Sequence, residues 1–128
     1  LALSLCGSLA WSDAKHETRR DVTCFSLRGT TYLTSKMDIR APGVEIVAVH
    51  ESNPEKQEKV VSDARGRFKL SCLKKGRYEF RVQKKLTRSD AQKLPAHLAM
   101  EKGRVVRSVL DYVVEESSSF SFGLISDP

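Results

Sequence analysis

The run Asp63-Ala-Arg-Gly-Arg-Phe-Lys-Leu-Ser-Cys-Leu-Lys-Lys-Gly-Arg-Tyr-Glu-Phe-Arg-Val82 reads as a turn, a strand, a second turn and a second strand. Phe68, Leu70 and Cys72 alternate with Arg67, Lys69 and Ser71. Beyond Lys74-Lys75-Gly76, Tyr78, Phe80 and Val82 alternate with Arg77, Glu79 and Arg81. Successive side chains of a strand point to opposite faces, so this alternation predicts two paired antiparallel strands with one apolar, half-buried face. Asp63-Ala-Arg-Gly66 carries its own turn mechanism. An Asp carboxylate can hydrogen-bond the backbone two residues on, and Gly can supply a positive φ. That role accounts for Asp63 better than catalysis does.

Outward from this stretch, the same reading continues in both directions. Cys24–Leu33 is rich in β-branched and aromatic residues, and its interior Gly29 marks a bulge or a close backbone approach. Ser35–Pro42 is a polar connection. In Gly43–His50, Val44, Ile46 and Ala48 share one face while Val47 and Val49 occupy the other, which predicts a strand covered on both sides. Glu51–Lys59 is charged and contains Pro54, and it reads as a solvated, mobile loop before a short Val60-Val61 strand. After a basic exit, Ser89–Met100 predicts two short helical turns, with Ser89 as N-cap and Pro95 starting the second. Leu94, Leu98 and Met100 would pack this insertion (residues 89–100) onto the rim. Val105–Val114 and Ser119–Ile125 return to strand, the latter with Phe120, Phe122 and Leu124 inward. Six or seven short strands in about a hundred residues predict an all-β antiparallel sandwich.

A chain of 128 residues, 40% apolar and 30% charged, fits one domain with a real core. The net charge of +6 favours anionic partners. Nucleic acid is the less favoured of these, because no recognition motif is present. No stretch of the mature part has the length and apolarity of a transmembrane helix. Leu1–Ala10 resembles the end of a signal-peptide core, with Ser8-Leu9-Ala10 and Ser12-Asp13-Ala14 as cleavage candidates. The alternative is a first core strand or helix. Leu3–Gly7 is also similar to a lipobox that would lipidate Cys6, although Leu5 is bulky for that pattern. The expected division is therefore a signal remnant at 1–14, an exposed tether at 15–21 and the domain at 22–126. Export would leave Cys24 and Cys72 as one pair. A bridge between them would stabilise by about 3–4 kcal/mol in the chain-entropy model. Two buried thiols are the alternative.

With the strands placed, Pro42-Gly43-Val44-Glu45-Ile46-Val47-Ala48, Ser62–Leu70 and Leu73-Lys74-Lys75-Gly76-Arg77-Tyr78 together resemble the carboxypeptidase regulatory-like domains. These belong to the prealbumin-like, transthyretin-like sandwiches, whose pattern runs P-x-G-V-x-V, T-D-x-x-G-x-F-x-L and L-x-P-G-x-Y. Ser62 stands for the usual threonine and Lys75 for the usual proline. The Arg88–Gly103 insertion has no counterpart. The resemblance implies a seven-stranded Greek-key sandwich in which Asp63, Gly66, Phe68, Gly76 and Tyr78 are turn formers and core residues, with Phe80 beside them in the core. It also implies a mainly non-catalytic docking or binding module. A few transthyretin relatives are hydrolases or carriers, which leaves a small hydrolase or ligand carrier as the alternative.

Chemistry motifs are sparse. His16, His50 and His97 lie far apart without metal-ligand spacing, and neither a G-x-S-x-G elbow nor a glycine-rich phosphate loop occurs. No catalytic residue, metal or cofactor is expected. The feature above background is basic. If the hairpin's apolar residues face inward, Arg67, Lys69, Arg77 and Arg81 face outward together. Lys74, Lys75, Lys84, Lys85 and Arg88 extend them, and Glu79 interrupts. Like charges across a ladder are unfavourable, so an anionic polysaccharide or acidic protein could compensate them. A solvated, edge-protecting face is the bland alternative. The expectation is a secreted, periplasmic or cell-surface non-enzymatic module of undetermined oligomeric state.

Overall fold

A computed structural model describes residues 24–127. The expectations for the signal remnant, the tether, Cys6 and His16 lie outside those residues. The chain forms β1 (Phe25–Thr34), β2 (Glu45–His50), β3 (Asn53–Val61), β4 (Arg67–Leu73) and β5 (Gly76–Lys85). A short helix α1 (Arg88–Lys93) and a 3₁₀ turn (Ala96–Leu98) follow, then β6 (Val105–Val114), β7 (Ser118–Ser119) and β8 (Phe122–Ile125). Two sheets stack. One has the order β3-β2-β5-β6, all antiparallel. In the other, β1 is flanked by antiparallel β4 on one side and by β7 and β8 on the other.

The all-β sandwich is as the strand pattern predicts, with two differences in detail. The closing segment is split into β7 and β8, so the described residues form eight strands, and both pair with β1 in parallel. The split falls at Phe120, whose backbone crosses β1 where Gly29 has no side chain. A Cβ on Gly29 would come within 1.8 Å of the Phe120 carbonyl oxygen. The close approach expected of that glycine is real.

Three other expectations are corrected. The two strands of the opening stretch are not a hairpin: β4 pairs with β1, β5 pairs with β2 and β6, and Lys74-Lys75 turns the corner between sheets. Next, residues 53–61 are an edge strand on β2 rather than a loop. Nearly every side chain of that strand is exposed, so no apolar alternation betrays it. Finally, Cys72 does not share the inward face of Phe68 and Leu70. The register with β1 shifts between Phe25↔Leu73 and Leu27↔Leu70, which gives β4 one extra residue. Leu73 takes the buried position and Cys72 is exposed, where it forms the disulfide with Cys24.

Phe80 is almost fully enclosed between the sheets, with Phe120 at 5.7 Å and Tyr112 at 6.2 Å between ring centroids. Phe68 reaches Phe122 at 6.0 Å. Leu27, Leu33, Val44, Ile46, Ala48 and Val114 are completely buried around them. The inward placement of Phe68, Leu70, Tyr78, Phe80, Val82, Phe122 and Leu124 follows their strand phase. Phe120 is half-buried. At the sandwich end, Asp63 Oδ1 accepts from Arg65 N at 2.8 Å and Arg67 N at 2.9 Å, and Gly66 has φ +78°. The Gly66 carbonyl then accepts from Thr31 N at 2.7 Å, which ties the turn to β1. Ser62 accepts from Val44 N and donates to the Ala41 carbonyl. Asp63, Gly66 and Ser62 thus serve the architecture.

Candidate functional site

Because β4 and β5 belong to different sheets, the expected basic face is divided between opposite surfaces of the sandwich. Arg77 and Arg81 lie on the outer face of the β3-β2-β5-β6 sheet, where both are paired: Arg77 with Glu51 at 3.4 Å and Arg81 with Glu79 at 3.2 Å. Around them Glu45 holds Lys59 at 3.2 Å and accepts from Gln83, which in turn accepts from Arg107. Glu79 neutralises this face rather than merely interrupting it.

Lys84 is not on a surface. Strand phase puts it on the inward side with Tyr78, Phe80 and Val82, and its side chain is 4% exposed. Its ammonium pairs with Asp90 at 3.1 Å and donates to the Pro42 carbonyl. Asp90 is held for this by a capping box. Thr87, not Ser89, is the N-cap: Asp90 N donates to Thr87 Oγ1 and Thr87 N donates to Asp90 Oδ2. Lys85 and Arg88 are exposed near this rim, while Lys74 and Lys75 sit at the corner between sheets.

Arg67 and Lys69 remain on the outer face of the β1 sheet, and the structure adds a residue the sequence reading did not include. Arg28 on β1 lies directly opposite Lys69 on β4, and Thr30 lies opposite Arg67. Arg28, Arg67 and Lys69 are all exposed. Among the described residues, no carboxylate lies within ion-pairing distance of any of the three. The strands of this sheet contain no Asp or Glu at all. Asp63, in the turn before β4, accepts from the Arg67 and Arg65 amides, and these hydrogen bonds, with a smaller contribution from the charges of the same two arginines, hold its pKa below the ordinary carboxylate value. Hydroxyls frame the cations: Ser119 is paired beside Arg28, and Ser121 accepts from the Thr30 amide. The signal for Arg28 was available in sequence, since it alternates with buried Leu27 in the same phase as Thr30.

A concave region of about 440 Å³ lies beside β3 and the corner, lined by His50, Ser52, Asn53, Lys56, Glu58, Cys72, Lys74 and Tyr78. His50 is fully used there. Ser52 N donates to Nδ1 at 3.0 Å, so the proton sits on Nε2, which donates to the Lys75 carbonyl at 3.0 Å. Tyr78 is likewise engaged, its hydroxyl donating to the Lys74 carbonyl at 2.9 Å, and burial pushes its pKa up. Among the described residues, no three His, Cys, Asp or Glu side chains gather as metal ligands, and no helix is long and apolar enough to cross a membrane.

The fold is a prealbumin-like β-sandwich. A candidate carbohydrate-binding protein of Pseudomonas aeruginosa shares it at 13% identity over 85% of this chain and 95% of that one, with a TM-score of 0.51. A 5-hydroxyisourate hydrolase of Klebsiella pneumoniae aligns at 18% identity over 80% of this chain and 87% of that one, with a TM-score of 0.48. No protein-family model matches the chain, and no curated protein sequence matches it.

Proposed function

We propose that this is a non-catalytic binding module of an exported or surface-exposed protein, of the carboxypeptidase regulatory-like kind, and that the β4-β1 face holds an acidic polysaccharide. One observation carries the reading. Arg28, Arg67 and Lys69 stand together on an acid-free sheet, whereas the arginines on the opposite face are paired. Leaving like charges opposed costs stability unless an anion compensates them. The surrounding Ser and Thr hydroxyls suit a hydroxyl-rich ligand, and the sandwich shared with the Pseudomonas protein fits that class. The disulfide suits an oxidising compartment. The non-catalytic reading rests on His50 and Tyr78, whose polar atoms are spent on backbone partners.

Binding to immobilised polygalacturonate, with amylose as the neutral control, tests this. Retention should fall at least about tenfold between about 50 and 500 mM salt, because exposed charges are screened within a few ångströms there. Arg28→Glu with Lys69→Glu should abolish it, and Arg77→Glu with Arg81→Glu should not. Salt-insensitive retention, equal effects of the two pairs of substitutions, or tighter capture of polyglutamate than of polygalacturonate would overturn the proposal.

A further inference from the structure

Among the described residues β6 is the edge of its sheet, and it has no proline, bulge or shortness to keep it from pairing. It runs ten residues in unbroken register with β5, from Gly76↔Val114 to Lys85↔Val105. It contains neither proline nor glycine. The opposite edge, β3, is better protected: it carries Pro54, four charged side chains against the two of β6, and a register break beside His50. Long, regular, unpaired edges are templates for another strand. On the outer face of β6, Val105, Val109 and Val113 are 39%, 60% and 42% exposed, an apolar row left uncovered among the described residues.

The order of residues on that face says what the other strand is. It reads Val105, Arg107, Val109, Asp111, Val113: the valines are symmetric about Val109 and the two charges flanking it are opposite in sign. Let a second copy of β6 pair antiparallel about a two-fold axis through Val109. Val109 then meets itself, Val105 meets Val113, and Arg107 meets Asp111 on both sides of the axis. Both ion pairs and all three valine rows are made in this one register. A slip by two residues sets Arg107 against a valine, and a slip by one turns the row to the other face. On the inner side the same register sets Ser108 opposite Leu110 and Val106 opposite Tyr112, extending cover over residues that are half-buried in the single chain. We infer that the chain forms a two-fold symmetric dimer through β6, fusing the two four-stranded sheets into one of eight. Such an isologous contact uses one patch twice, as closed dimers do, and opposite charges directly across a ladder favour it.

Sedimentation equilibrium on the intact chain tests the inference, with circular dichroism confirming that each variant is folded. The wild type should have the mass of two chains. Arg107→Asp faces Asp111 with a like charge, Asp111→Arg faces Arg107 with one, and each alone should weaken association at least tenfold. Combining them restores opposite charges and should restore the dimer. Val109→Cys should cross-link to its own copy under mild oxidation, whereas Val105→Cys, set opposite Val113, should not. A monomeric wild type, a dimer indifferent to both single reversals, or a double reversal that stays monomeric would overturn the inference.

Discussion

The ammonium of Lys84 stands 3.1 Å from the Asp90 carboxylate, and the two side chains are only 4% and 2% exposed. The pair joins the end of β5 to the first turn of α1, and Lys84 also reaches the Pro42 carbonyl at the entry to β2. It therefore locks α1 onto the sandwich. Removing one member of a buried pair leaves the other charge without compensation. Lys84→Met is expected to cost about 3–5 kcal/mol in urea unfolding. Asp90→Asn in that background should recover part of the loss, since a neutral amide needs no cation and can still accept from Thr87. A loss below about 1 kcal/mol for Lys84→Met would show that the pair is dispensable.

What the sequence disclosed, and what it hid, follows from what alternation encodes. A period of two says which face of a strand is buried, and Phe68, Leu70, Tyr78, Phe80 and Val82 obey it. It says nothing about which strand lies alongside. Leu73 and Gly76 fit a tight hairpin and a corner between sheets equally well, so the β4–β5 pairing was open. The candidate site depended on that choice, which is why it divided between two surfaces. β3 was hidden for another reason: an edge strand exposed on both faces has no apolar rhythm to find. Cys72 was misplaced because the bulge that turns it outward changes the phase within β4. Lys84 was legible, since its phase continues Tyr78, Phe80 and Val82 inward, but its charge argued for the surface. The pairing of Arg28 with Lys69 needed the sheet order.

Two glycines should respond differently to the same substitution. At Gly29 a methyl group would meet the Phe120 carbonyl oxygen at 1.8 Å, backbone against backbone, and the Phe68 ring at 2.8 Å. Gly29→Ala is expected to cost about 3 kcal/mol or more, with β7 and β8 displaced from β1. Gly103 has φ +86° but open space around it, so Gly103→Ala should cost only the backbone term of about 1–2 kcal/mol. Thermal unfolding of the two variants measures this, and equal losses would refute the close-approach argument.

Acid should loosen the domain at two defined places. Donation from the Arg67 and Arg65 amides lowers the pKa of Asp63. The hydrogen bond from His97, with Lys36 nearby, lowers that of Asp127. In both cases the folded chain holds the proton less readily than the unfolded chain does. The stability each lends is therefore complete above the unfolded value of 3.8 and is lost as pH falls through the depressed folded value. Asp63→Asn and Asp127→Asn should each flatten the acid limb of a stability–pH profile. An unchanged acid limb would mean that these carboxylates are not linked to folding.

The disulfide acts where the sandwich has least regular support. Cys24 immediately precedes β1, and Cys72 sits in the bulge where the β1–β4 register breaks, so the covalent bond stands in for ladder pairing there. It also closes a segment of 48 residues containing β1 to β4, almost half of the described chain. In the chain-entropy model that closure removes freedom from the unfolded state worth about 4 kcal/mol. Cys24→Ser with Cys72→Ser, and the reduced wild type, should both lose about that amount in urea unfolding, with a steeper dependence on denaturant as the freed unfolded chain exposes more surface. Agreement between those two states is the stringent part. A double serine variant as stable as the oxidised protein would show that packing of Leu27, Leu70 and Leu73 alone holds β1 to β4.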